Sequence, residues 1–135
     1  MREIIVAAID ENLEVVNNFI HECLMDTSVS DDVLMELDLA VEEIFVNIAH
    51  YAYNPEVGNA QIKCKINNEP LQLTIEFTDE GKPYNPLEKE DPDITLSAEE
   101  RQIGGLGIFI VKQFMDVIEY RYEDNKNILT IKKML

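Results

Sequence analysis

The sequence predicts an α+β fold, a two-layer sandwich in which three helices cover one face of a mainly antiparallel sheet. Three observations carry that expectation. Apolar residues recur at helical spacing in three separate segments, and they alternate with a period of two through an uninterrupted hairpin. The segment order β, α, α, β, β, loop, α, β, β then leaves strands in adjacent pairs with helices between them. A chain of 135 residues has room for one domain around a single core, so 1–135 is read as one domain, with no internal repeat and no interdomain linker.

Taken in order, Ile4 to Ile9 is a short β-rich run, and Asp10-Glu11 opens a first helix with Leu13, Val16, Ile20 and Leu24 on one face. Ser30-Asp31-Asp32 supplies an N-cap signal. Leu37, Val41, Ile44 and Ile48 make a single stripe on a long second helix that runs until Asn54-Pro55 stops it. Ile62, Cys64 and Ile66 alternate with Lys63 and Lys65, Asn67-Asn68-Glu69-Pro70 turns the chain, and Leu71, Leu73, Ile75 and Phe77 alternate again. The stretch from Pro86 to Glu100 is acidic and weakly patterned. Gly107 to Met115 predicts a third helix, and Val117–Tyr122 and Ile128–Lys132 predict two strands around an Asp124-Asn125-Lys126-Asn127 turn.

Charge narrows the function classes. Eleven basic against 27 acidic side chains give a net charge of −16, which repels phosphate backbones and anionic lipid and argues against nucleic-acid and membrane-surface roles. An anionic ligand would have to be held locally. Cys23 and Cys64 show no metal or redox spacing, Met1-Arg2-Glu3-Ile4 lacks a secretory apolar region, and no apolar run approaches the roughly 20 residues of a membrane helix. A reduced, cytoplasmic protein is expected, with both thiols acting as small buried groups.

Four of the five glycines fall in two clusters, Asp79-Glu80-Gly81-Lys82-Pro83 and Gly104-Gly105-Leu106-Gly107, each at the edge of an apolar segment. That placement suggests a bound nucleotide approached closely by backbone. On the long helix, Glu43, Asn47 and His50 share one face at i, i+4 and i+7. The carboxylate can take a hydroxyl proton or orient water, and the carboxamide can occupy one position around an octahedral Mg²⁺. A plain solvated helix face is the alternative. If the alternation through Phe77 continues one step, Asp79 points to the buried face, where it would accept a hydrogen bond from an exocyclic amine such as adenine N6 while Gly81 admits the base. A turn residue beyond the end of its strand is the alternative there. The Gly104–Gly107 run leads into a helix, so its amides can face phosphate, with Arg101 as the nearest cationic side chain. A hinge and a solvated lid charge are the plainer readings. No Gly-Lys-Ser/Thr follows, and the glycines do not follow a strand, which argues against both a P-loop and a dinucleotide fingerprint.

In this order, Glu43-Ile44-Phe45-Val46-Asn47, Asp79-Glu80-Gly81-Lys82-Pro83-Tyr84-Asn85-Pro86 and Gly104-Gly105-Leu106-Gly107-Ile108-Phe109-Ile110-Val111 resemble the N, G1 and G2 boxes of the GHKL superfamily of gyrase, heat-shock chaperone, histidine kinase and mismatch-repair ATPases. Within it, the chain resembles the anti-sigma factor serine kinases. The resemblance covers nearly the whole chain and implies the Bergerat sandwich, ATP with Mg²⁺, and phosphorylation of a serine on an anti-anti-sigma (STAS) partner. It also implies alternate binding of a sigma factor, commonly as a homodimer. By the same resemblance Glu43 matches the general base, Asn47 the Mg²⁺ ligand and Asp79, with Gly81, the adenine-binding acid. Gly104, Gly105, Leu106 and Gly107 match the phosphate-facing turn, and Leu87 to Ile103 the ATP lid.

One departure follows Asn47: many members carry histidine four residues on, where this chain has Tyr51, and His50 precedes it, suiting packing or a surface position. Among rival readings, a histidine kinase fragment needs an upstream phosphoacceptor helix, and only about 30 residues precede the long helix. A chaperone or topoisomerase ATPase needs a second domain, and the chain ends without one. The remaining alternative is a non-catalytic, ATP-dependent protein-binding module, which would not need Glu43.

Overall fold

The computed structural model describes residues 1–88 and 105–135. Five strands form one sheet: β1 (Arg2–Ala7), β2 (Asn59–Asn68), β3 (Leu71–Asp79), β4 (Val117–Glu123) and β5 (Lys126–Met134). Three helices, α1 (Leu13–Cys23), α2 (Asp31–Asn47) and α3 (Gly105–Phe114), complete the α+β sandwich that the sequence predicts. The strand order is β1-β2-β3-β5-β4, and every pairing is antiparallel. Two hairpins, β2/β3 and β4/β5, thus join through β3 and β5, so that Asp79 at the end of β3 pairs with Asn127 near the start of β5.

Strand alternation decides which sheet face is covered. Ile62, Cys64, Leu73, Ile75, Phe77, Leu129 and Ile131 lie at one parity and form a single cluster with Val16, Phe19 and Ile20 of α1, Leu37, Val41, Ile44 and Phe45 of α2, and Ile108 and Val111 of α3. Thr78, Ile128 and Thr130 sit at the opposite parity, and Ile128, although screened, stays outside that cluster. The helices cover one face. α2 starts where its cap signal stands, with Ser30 Oγ accepting the Val33 N–H at 3.2 Å and Asp31 and Asp32 in the first turn.

The first strand is Arg2–Ala7 rather than Ile4 to Ile9, the third helix is Gly105–Phe114 rather than Gly107 to Met115, and two further differences bear on the site. The long helix does not run unchanged to Asn54: α-helical geometry ends at Asn47, and Ile48–Ala52 form a π-helical turn. Its i→i+5 bonding widens the helix and shifts the facing of the residues after Asn47. The Asp124–Asn127 segment is not a four-residue turn either. It closes at Asp124 and Asn125, with φ of 53° and 62°, so Lys126 and Asn127 already belong to β5. Two successive left-handed residues are what a tight hairpin between twisted strands requires, and Asp and Asn tolerate them.

Phe45 is fully buried at the centre of the cluster, whereas Met35 on the same helix is 56% exposed. Phe45→Ala is expected to cost about 3–5 kcal/mol of unfolding free energy, and Met35→Ala to stay within about 0.5 kcal/mol. Urea titrations of the two variants check the difference.

Candidate functional site

A cavity of about 460 Å³ opens between α2 with its π-helical turn, the ends of β3 and β5, and the segment Lys82–Pro86. Its walls are largely apolar: Ile44, Ile48, Ala52, Phe77, Ile108 and Leu129. Polar residues also line it: Asn47, Asp79, Lys82, Asn127, Tyr51, Tyr84 and Tyr120. Apolar walls carrying sparse, placed polar groups are the usual make-up of a small-molecule site.

Asp79 is the outstanding group. β3 keeps its alternation for one more step after Phe77, which turns Asp79 inward and leaves it 6% exposed. Its Oδ1 accepts two hydrogen bonds, from the Gly81 N–H at 2.9 Å and from Asn127 Nδ2 at 2.9 Å. Burial raises the carboxyl above its ordinary value, and these two bonds pull the other way without cancelling it. Among the described residues none donates to Oδ2. Nor is Oδ2 sealed from solvent, since among the described residues Asn17 Oδ1 is the one buried side-chain atom without a partner.

The chain after Asp79 is held against the end of the π-helical turn. The Lys82 N–H donates to the Ala52 carbonyl at 3.0 Å, and a side chain at Gly81 would run into that same carbonyl. Close backbone approach is thus what glycine provides at this position. Tyr53 braces the other side: its hydroxyl donates to the Asn59 carbonyl at 2.6 Å and accepts the Glu80 N–H at 2.7 Å. Burial raises the phenol above its ordinary value, so it keeps the proton that the Asn59 bond needs.

The remaining expected site residues divide. Asn47 lines the cavity, and no hydrogen bond from a described residue reaches its carboxamide. Glu43, one turn earlier and half-buried, does not line it. Its carboxylate lies instead against Gly107, where a side chain would run into Oε2. α3 starts at Gly105, so Gly105, Leu106 and Gly107 form its first turn rather than a loop ahead of it. Arg101, Gly104 and residues 89–103 of the expected lid lie outside the described residues.

His50 does not join Glu43 and Asn47. Its Nε2 meets Asp10 Oδ2 at 2.8 Å on the surface, because the π-helical turn breaks the regular i+7 facing; Tyr51 reaches the cavity in its place. No cluster of three or more His, Cys, Asp or Glu side chains suited to a metal occurs among the described residues, so Asn47 offers a cation a single side-chain oxygen. No described helix is long and apolar enough to cross a membrane.

Sequence reasoning passed over Lys82 and the tyrosines of the cavity lining, and also Asn127, by placing it in a turn. The Asp124-Asn125 pair was the available signal, because a two-residue hairpin turn there puts Asn127 on β5. The raised Asp79 carboxyl fixes a sign. Its contribution to stability is fully present below the unfolded value of 3.8, falls as pH rises through the higher folded value, and leaves the ionised form a cost at neutral pH. Asp79→Asn is therefore expected to melt at or above the wild-type temperature at pH 7.5. The gap should close as pH falls toward 4, as read by thermal denaturation at several pH values.

Comparison with known proteins agrees with this geometry. The family model described as the histidine kinase-like ATPase domain matches residues 6–133. The chain is 28% identical over 96 residues to the serine/threonine-protein kinase BtrW of Bordetella bronchiseptica, covering 70% of this chain and 66% of that one. It is also 28% identical over 96 residues to an anti-sigma F factor of Thermoanaerobacter, covering 71% and 66%. The matched region thus spans just under two thirds of the length of these relatives. The histidine kinase domain of the blue-light activated kinase of Erythrobacter litoralis shares the fold, with a TM-score of 0.60 at 16% identity over 93% of this chain and 60% of that one. A match across nearly the whole chain, on a fold in which Asp79 of β3 and Asn47 of α2 line one cavity, places the protein in the histidine kinase-like ATPase family.

Proposed function

We propose that the chain works as a single ATP-binding domain of the anti-sigma kinase type, transferring the γ-phosphoryl group of ATP to a serine of an anti-anti-sigma (STAS) protein and alternately sequestering a sigma factor. The observation that carries this reading is Asp79: a buried carboxylate with two donors on one oxygen and none among the described residues on the other, in a largely apolar cavity of about 460 Å³. An acceptor there suits the exocyclic amine of adenine and repels the carbonyl oxygen that guanine carries in its place. The apolar walls from Ile44, Ile48, Phe77 and Leu129 suit the faces of a purine. The names of the relatives, a serine/threonine kinase and an anti-sigma factor, support the partner class.

The residues present fit Mg·ATP. Asn47 would hold the metal through its carboxamide oxygen, the partial coordination that Mg²⁺ accepts when phosphates and waters supply the rest. Bound Mg²⁺ supplies neutralisation of the phosphate charge. The first-turn amides of α3, at Gly105 and Gly107, are suited to hold phosphate oxygens at the positive end of the helix dipole, and Arg101 and Gly104 are proposed to add to that set. Glu43 takes the proton of the serine hydroxyl as its oxygen bonds to the γ-phosphorus, and the bond to the bridging oxygen breaks with its electrons leaving on ADP. The close packing of Gly107 on the Glu43 carboxylate ties the base to the phosphate-facing turn. Acidic charge outside the cavity suits a basic, DNA-binding partner such as a sigma factor, and the assembly is proposed to be cytoplasmic and homodimeric.

The second reading is a non-catalytic module that captures its partner when ATP is bound. It is favoured by the position of Glu43, against Gly107 and outside the cavity lining. Incubation of the protein with labelled Mg·ATP and a STAS partner separates the two. Wild type is expected to label the partner, and Glu43→Ala to bind ATP as wild type does while losing about 10²–10⁴-fold in transfer rate. ATP binding without transfer in the wild type would leave the binding module. Asp79→Asn is expected to weaken ATP binding roughly 10–100-fold, the cost of losing a charged acceptor, in a calorimetric titration.

A further inference from the structure

We propose that Asn127 is a positioning residue of the nucleotide site, a single side chain that sets which oxygen of Asp79 is presented to the base and fastens the rim of the cavity. This rests on the nucleotide reading above. Asn127 is 7% exposed and sits opposite Asp79 in the β3–β5 register. Its Nδ2 donates to Asp79 Oδ1 at 2.9 Å and to the Lys82 carbonyl at 2.8 Å, with the Gly81 carbonyl further off at 3.4 Å. Its Oδ1 accepts the Tyr84 N–H at 3.0 Å and the Tyr120 hydroxyl.

A carboxamide has two N–H donors and two acceptor lone pairs, so the hydrogen-bonding capacity of Asn127 is fully used. The orientation is forced as well. Rotated by half a turn, the amide would set its oxygen against a carboxylate and two carbonyls, and its NH₂ against the Tyr84 N–H.

Two consequences follow. Asn127 and the Gly81 N–H both bond Oδ1, which leaves Oδ2 as the acceptor for an incoming amine. The same side chain holds the backbone of residues 81, 82 and 84, so the reading group and this part of the cavity rim are tied to one amide. Tyr120, which also lines the cavity, holds Asn127 from the far side. Aspartate is nearly the same shape but substitutes only while protonated, because it places a second carboxyl group about where Nδ2 stands, and two such groups must share a proton.

The test compares binding of ATP and of inosine triphosphate, which lacks the exocyclic amine, by calorimetry. The proteins are wild type, Asn127→Leu, Asn127→Asp and Tyr120→Phe, each with a melting curve. Wild type should prefer ATP. Asn127→Leu should lose roughly tenfold or more of ATP affinity with much less effect on inosine triphosphate, the scale of one charge-assisted hydrogen bond. Tyr120→Phe, which keeps its ring and removes one bond to Asn127, should shift the ratio the same way by less, and it decides the matter if Asn127→Leu fails to fold. Asn127→Asp should bind ATP better at acidic pH, where one proton bridges the pair, and lose affinity as pH rises and both carboxylates ionise. An unchanged ATP preference in Asn127→Leu and Tyr120→Phe, or equal losses for both nucleotides at every pH, overturns the proposal while the nucleotide reading stands. A wild type that binds neither nucleotide overturns both.

Discussion

A carboxylate at the edge of an apolar core is the constraint on which the rest of this site depends. Asp79 takes the parity of Leu73, Ile75 and Phe77, so the alternation that builds the sheet's buried face also carries a charge into it. Such a group is costly unless hydrogen-bonded. Its surroundings answer that cost on one oxygen only: the Gly81 N–H and the Asn127 amide converge on Oδ1, while Oδ2 has no donor among the described residues. Burial therefore still holds the carboxyl above its ordinary value, because the two bonds to Oδ1 offset only part of the desolvation.

The backbone around Asp79 is arranged at similarly close quarters. Gly81 lets the chain lie on the Ala52 carbonyl at the end of the π-helical turn, and Gly107 lets α3 lie on the Glu43 carboxylate. Larger residues at either place would separate elements whose side chains meet at the cavity. The π-helical turn itself has a directional effect. It ends the regular facing of α2 at Asn47, turning Tyr51 into the cavity and His50 out to Asp10. Deviations of this kind in a helix are frequent at functional sites, and here the deviation begins at the residue after Asn47.

Much of this was legible in the sequence, and the parts that were not share a cause. Leu37, Val41, Ile44 and Ile48 marked α2, and its face placed Asn47 at the margin of the apolar stripe. Leu71 to Phe77 marked β3 and, extended by one step, the inward side of Asp79. Asn127 was illegible because its role depends on a turn two residues long rather than four and on β5 rather than β4 lying beside β3. The surface position expected for His50 is where it lies, but the i+7 facing with Glu43 and Asn47 does not hold, because that spacing assumes a regular helical period across a turn where the hydrogen-bonding pattern changes.

The sequence by itself determined the elements, the covered face of the hairpin and the identity of Asp79, Asn47, Gly81 and Gly107 as groups needing explanation, since periodicity, capping and glycine placement act over a few neighbouring residues. Only the tertiary structure decided what those groups touch. Asp79 and Asn127 are 48 residues apart, and Gly81 meets Ala52 through the packing of β3 on the end of the π-helical turn. Contacts at that separation depend on strand order and on how the elements close over one core, and no local pattern of side chains encodes those.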